Sequence, residues 1–120
     1  MAARVLIVDD HPIFRAAARQ LLEVEGYDVV GEAGDGASAL AAARELNPDV
    51  VLLDIQLPDL DGFEVAARLT HHGRNGGPAV VLTSSRDWSD YGRVLSRTGA
   101  CGFLPKAELS GEGIAAALAA

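Results

Sequence analysis

The amino-acid sequence predicts a doubly wound α/β domain: five β-α units, one parallel sheet, and helices on both of its faces. Three observations predict it. Val5-Leu6-Ile7-Val8, Val50-Val51-Leu52-Leu53 and Ala79-Val80-Val81-Leu82 are short, continuous apolar runs, the pattern of strands buried on both faces. The stretches between these runs carry apolar residues at helical spacing. The chain has 120 residues, the size of one ordinary domain and too short for two well-cored ones.

The elements follow in order. After the first run, Pro12 stands where a first helical turn tolerates proline, and Ile13, Ala17, Leu21 and Val24 form the expected apolar stripe. Gly26 fits the stop. Tyr27 to Val30 is a weaker strand candidate. Ala37 to Leu46 is an Ala-rich helix that Asn47-Pro48 ends. Gly62 to Thr70 follows the second run, with Phe63, Ala66, Ala67 and Leu69 at mostly helical spacing. Trp88, Tyr91, Val94 and Leu95 mark a fourth helix beyond the third run. Cys101 to Leu104 reads as the fifth strand. Ser110 is placed to cap a last helix ending in the Ala-rich Ile114 to Ala120. Gly73 to Pro78 is a polar connection rather than a domain boundary.

Composition excludes several classes. The chain is 49% hydrophobic and 22% charged, a globular balance. Ten Lys and Arg against 17 Asp and Glu give a net charge of −7, which argues against nucleic-acid binding through a broad basic surface. No apolar run approaches the length of a membrane span. Met1-Ala2-Ala3-Arg4 runs straight into a strand, without the pattern of a signal peptide. The lone Cys101 has no intramolecular disulfide partner. The expectation is a soluble, acidic, cytoplasmic single domain over residues 1–120.

In an open α/β sheet, ligands bind beyond the carboxyl ends of the strands. Asp9 and Asp10 follow the first run and Asp54 follows the second. Thr83, Ser84 and Ser85 follow the third, and Pro105 and Lys106 follow the fifth strand. Three converging carboxylates repel one another unless something neutralises them. A hard divalent cation does this, and Mg2+ suits oxygen ligands and a phosphate-bearing partner. A carboxylate so placed is a nucleophile toward phosphorus, with Lys106 available to a phosphoryl oxygen. Each residue alone has a plainer reading: Asp9 and Asp10 as helix caps, Asp54 as a turn residue, Ser84 as a cap, Lys106 as a solvated charge. Their joint occurrence at strand ends favours a site.

At these residues the chain resembles the receiver domain of two-component response regulators, over Val5 to about Leu118. The resemblance is carried by Val5-Leu6-Ile7-Val8-Asp9-Asp10-His11, by Pro48-Asp49-Val50-Val51-Leu52-Leu53-Asp54, by Leu57-Pro58-Asp59-Leu60-Asp61-Gly62, and by Gly99-Ala100-Cys101-Gly102-Phe103-Leu104-Pro105-Lys106. His11-Pro12 and Gly31 to Gly36 look most like the subfamily that often carries a C-terminal helix-turn-helix domain. The resemblance implies a flavodoxin-like (βα)5 sheet of strand order 2-1-3-4-5. It implies that Asp54 accepts a phosphoryl group from a histidine kinase or a phosphotransfer protein. Asp9 and Asp10 match the acidic pair that holds Mg2+ with Asp54, and the Gln56 carbonyl matches the third protein ligand. Lys106 matches the lysine that pairs with the acceptor. Family spacing back from Lys106 makes Ser84 the switch hydroxyl, whereas counting forward from Pro78 points to Thr83; Ser84 is the preferred reading. Phe103 matches the switch aromatic.

The sequence departs from the family in places. Ala107 follows Lys106 where proline is usual, so no cis peptide is expected there. Phe103 replaces the commoner tyrosine, and Gly111 and Gly113 open a short last helix. Nothing here reads as an output domain, so the expectation is a stand-alone switch rather than a conventional enzyme. It would catalyse only its own phosphorylation and dephosphorylation. Its face of fourth helix, fifth strand and fifth helix would change affinity for a partner protein or for a second copy. The alternatives are a receiver-like binding module independent of phosphorylation and a small Mg2+-dependent phosphohydrolase. His11 reads as a helix-start or site-rim residue, His71-His72 as a solvated helix end, Trp88 as a partner-facing edge, and Cys101 as buried.

Overall fold

A computed structural model describes residues 3–72, 77–85, 100 and 102–119. Five strands form one sheet in the order β2-β1-β3-β4-β5, and every neighbouring pair is parallel. They are β1 (Arg4–Val8), β2 (Asp28–Ala33), β3 (Val50–Asp54), β4 (Ala79–Ser84) and β5 (Gly102–Pro105). The described helices are α1 (Pro12–Val24), α2 (Gly36–Leu46), α3 (Gly62–His72) and α4 (Gly111–Ala119), the last preceded by a 3-10 turn at Lys106–Glu108. The predicted fourth helix, with Trp88, and Cys101 lie outside the described residues.

Side-chain alternation splits the core in two. Leu6, Val8, Val51, Leu53, Val80 and Leu82 point to one face and pack with Ala39 of α2 and Val65, Ala66 and Leu69 of α3. Val5, Ile7, Val50, Leu52, Val81 and Leu104 point to the other and pack with Ala18 and Leu22 of α1 and Ile114 and Ala117 of α4. Both faces being covered explains the uninterrupted apolar runs.

The structure corrects the stripe expected on α1. Ile13 is 86% exposed and Val24 81%, while Ala18 and Leu22 are fully buried and Phe14 packs against the core. Apolar residues surround much of this helix, and spacing alone does not choose which side meets the sheet. The capping reading of Asp10 also fails, because His11 occupies the N-cap position and caps with no side-chain bond. Gly26, at φ 96°, ends α1 in the left-handed region that glycine tolerates, as expected. Strand β4 runs two residues further than its apolar run, taking in Thr83 and Ser84. Strand β2 begins after Tyr27 and extends to Ala33. Its register against β1 slips by one between Val5↔Val29 and Leu6↔Gly31, leaving Val30 as the extra residue of a bulge.

The connection after β3 is tied down from two sides. Gly62 lies so close to the end of β3 that a Cβ there would come 2.4 Å from the Asp54 carbonyl oxygen. The Asp59 carboxylate accepts hydrogen bonds from Gly36 N (2.7 Å) and Ala37 N (3.0 Å) at the start of α2, and from Leu60 N. Hydrogen bonds from Gly36 and Ala37 hold its pKa below the ordinary 3.8. A depressed folded pKa gives stability that is present above the unfolded pKa and lost as pH falls through the folded one. Asp59→Ala therefore lowers the melting temperature at pH 7, and the gap to the native protein narrows as pH is taken below 3.8, as paired thermal melts would show. An unchanged gap across that range would remove the electrostatic part of this account.

Candidate functional site

The ends of β1, β3 and β5 converge at one edge of the sheet. Asp9 directly follows β1, and its N–H donates to the Ala33 carbonyl at 3.0 Å. Asp54 closes β3. Both carboxylates are buried, at 0% and 2% exposure. Lys106, just past β5, brings its ammonium 2.6 Å from Asp9 Oδ2 and 3.2 Å from Asp54 Oδ2. The ammonium also lies 4.6 Å from the centre of the Phe14 ring, a cation–π contact from α1.

His11 completes the rim. Its N–H donates to Asp9 Oδ1 at 2.8 Å, and its Nδ1 lies 2.9 Å from that oxygen and 3.0 Å from Asp10 Oδ1. One ligand atom each from Asp9, Asp10, His11 and Asp54 falls within 4.8 Å of the others. Asp9 and Asp54 are thus a buried pair of like charges, and the exposed Asp10 adds a third. The donor set is predominantly hard oxygen, which fits Mg2+.

The titration behaviour follows from this crowding. Burial raises the Asp54 pKa above 3.8, and the Asp9 charge adds to it, against the opposing pull of the Gln56 N–H and Lys106. Burial works against the Lys106 charge, but the hydrogen bond to Asp9 and the charges of Asp54 and Asp9 outweigh it and raise its pKa above 10.5.

The structure brings together Asp9, Asp10, Asp54 and Lys106, as the sequence predicts. Gln56 lies beside them, its N–H donating to Asp54 Oδ1 at 3.0 Å. Thr83 and Ser84 are both 1% exposed. Thr83 pairs with Asp54 in the sheet register, so the two side chains leave the same face, whereas Ser84 pairs with Pro105. The Thr83 hydroxyl is buried with no hydrogen-bond partner among the described residues. Phe103 is half-buried against the core on the α2–α3 side. Phe14 went unrecognised in the sequence, where it reads as one more apolar residue of α1. Only the crossing of α1 over the sheet edge brings it to the lysine.

A parallel five-stranded sheet with acidic residues and a lysine at its carboxyl edge defines a signalling receiver. The chain belongs to the response regulator receiver domain family, whose model matches residues 5–118. It is 44% identical over 119 residues to the virulence-factor transcription regulator BvgA of Bordetella pertussis, covering 99% of this chain and 56% of that protein. It is 42% identical over 104 residues to the nitrate/nitrite response regulator NarP of Escherichia coli, covering 86% of this chain and 47% of NarP. The chain therefore spans about half the length of the curated relatives it matches. The signal receiver domain of the response regulator NarL from Mycobacterium tuberculosis superposes with a TM-score of 0.84 at 38% identity, covering 98% of this chain and 94% of that one. Receiver domains are signalling switches rather than classical enzymes, and they generally bind Mg2+ at an acidic pocket. Response regulators are phosphorylated by histidine kinases. Among the described residues, no helix is long and apolar enough to cross a membrane.

A raised folded pKa means that ionised Asp54 costs stability above that pKa, and the cost disappears as pH falls through it. Asp54→Asn is expected to raise the melting temperature at pH 7, with the gain shrinking in acid as native Asp54 takes up its proton. Thermal melts of both proteins across this range check it, and a destabilised variant at pH 7 would contradict it.

Proposed function

We propose that Asp54 accepts a phosphoryl group from a histidine kinase or a phosphotransfer protein, and that a partner protein reads the resulting change at the sheet edge. The observation that carries this reading is the Lys106 ammonium fixed between the buried carboxylates of Asp9 and Asp54. An isolated buried carboxylate pair is unfavourable, and a structural ion pair alone would need one acid, not two.

The side chains of Asp9, Asp10 and Asp54 and the Gln56 carbonyl would hold Mg2+. When bound, Mg2+ supplies positive charge beside the phosphoryl oxygens. Asp54 is anchored for attack: Gln56 N–H holds Oδ1 and Lys106 holds Oδ2. As its oxygen bonds to phosphorus, the phosphorus–nitrogen bond of the donor phosphohistidine breaks, giving an acyl phosphate. Lys106 then exchanges its Asp54 contact for a phosphoryl oxygen.

The responding hydroxyl lies at the end of β4. Spacing from Lys106 favours Ser84; pairing with Asp54 and a buried, unpartnered hydroxyl favour Thr83, and we assign the role to Thr83 on those two grounds. Phe103, which packs on the opposite face of the sheet, would turn inward as the end of β4 shifts. The face of β5, α4 and the predicted fourth helix would then change its affinity for a downstream protein or for a second copy of the chain. No direct contact with nucleic acid or membrane is part of this proposal.

Incubation with Mg2+ and acetyl phosphate, followed by intact-mass measurement, is expected to add one phosphoryl group. Asp54→Asn, or omission of Mg2+, should abolish the gain. A folded native protein that never gains mass, and that also fails to bind a fluoroberyllate analogue, would replace this reading with a phosphorylation-independent module. Thr83→Ala should still be phosphorylated but lose the accompanying shifts in amide NMR signals of β5, while Ser84→Ala keeps them. The reverse pattern returns the role to Ser84.

A further inference from the structure

The Asp9–Asp10 pair is held from behind by residues that the proposed phosphoryl chemistry does not use. Arg15 Nη1 donates to the backbone carbonyl of Asp9 at 2.5 Å. Arg15 Nε donates to Glu32 Oε1 at 3.0 Å, and Arg19 Nε donates to Glu32 Oε2 at 2.7 Å. Glu32 thus takes one guanidinium on each oxygen. The Arg15 side chain is 20% exposed and that of Glu32 28%.

Two features show that this bridge is built rather than incidental. The first is the β2 bulge. It pairs Ile7 with Glu32, and Ile7 points to the α1 face, so Glu32 points there too. In an unbroken register continuing from Val5↔Val29, with Val30 paired, Glu32 would pair with Val8 and face α2 instead. The second is the place of Arg15 on α1. Its N–H bonds the His11 carbonyl, so it lies in the first turn, where the helix dipole disfavours a cation. That turn carries no acidic residue to compensate.

The carbonyl that Arg15 grips belongs to the peptide joining Asp9 to Asp10. The plane of that peptide sets the direction of both side chains at once. The Asp9 N–H is already fixed by Ala33, so the Arg15 contact removes the remaining freedom of the pair.

We infer that Arg15, anchored by Glu32 and Arg19, is a positioning residue that orients the Asp9 and Asp10 carboxylates for a divalent cation. The inference rests on the metal site proposed above. Its sign separates positioning from simple charge. Arg15 is a cation near a cation site, so its charge alone opposes metal binding, and removing it would tighten Mg2+. Loss of positioning weakens Mg2+ instead, toward the roughly ten-fold typical of partners that orient metal ligands.

Calorimetric titration of Mg2+ into native protein, Arg15→Met and Arg15→Lys tests it, with circular dichroism melts to confirm folding. Arg15→Met is expected to bind Mg2+ several-fold more weakly. Arg15→Lys keeps the charge but cannot span both Asp9 and Glu32, so it should also weaken binding, and it decides the matter if Arg15→Met does not fold. Unchanged or tighter Mg2+ binding in the folded variants overturns the positioning role while leaving the metal site intact. Failure of the native protein to bind Mg2+ overturns both.

Discussion

Two carboxylates buried at the ends of adjacent strands require a cation, and Lys106 supplies it. Asp9 and Asp54 sit at 0% and 2% exposure at the ends of β1 and β3. Their mutual repulsion in a weakly polarisable setting would push one toward its neutral form. The Lys106 ammonium, reaching across from β5, contacts both and lies over the Phe14 ring. Such a buried triad is a poor way to gain stability, because desolvating three charges offsets most of their attraction. Its retention makes sense as a site poised for one more charged group.

The strand order places this triad. With β1 and β3 adjacent at the centre and β5 at the edge, the two acids become neighbours and the lysine must extend past the end of β4 to reach them. The end of β4 carries the buried Thr83 and Ser84, of which Thr83 pairs with the acceptor strand at Asp54. The lysine stem is covered rather than solvated, and its charge is set by the two acids more than by water.

The surroundings are stiff where the acids are held. Gly62 lets the chain return within contact of the Asp54 carbonyl, and Asp59 pins the same loop to the start of α2. Across the site, Asp9 is gripped through its N–H by Ala33 and through its carbonyl by Arg15. A rigid acidic platform of this kind keeps charge repulsion from being relieved by spreading the carboxylates apart. Neutralisation by lysine, metal or proton is then the remaining outlet.

The fold class, the parallel sheet and the four main charged positions were legible in the linear sequence. Strands buried on both faces need unbroken apolar runs, and chemistry in such sheets collects just beyond them, so Asp9, Asp10, Asp54 and Lys106 announce themselves by position. Other features depend on how elements meet. Ile13 and Val24 look as suited to the core as Leu22, and only the docking of α1 on the sheet leaves them exposed. The bulge at Val30 is marked in the sequence only by the neighbouring Gly31, yet it turns Glu32 from one face of the sheet to the other. The pairing of Thr83, rather than Ser84, with Asp54 is a matter of register between strands 25 residues apart in the chain, counting from Asp54 to Ala79. Local patterning is dictated by each segment's own side chains, whereas register, helix rotation and the Phe14–Lys106 contact are set by simultaneous packing of distant segments, which only the assembled tertiary structure decides.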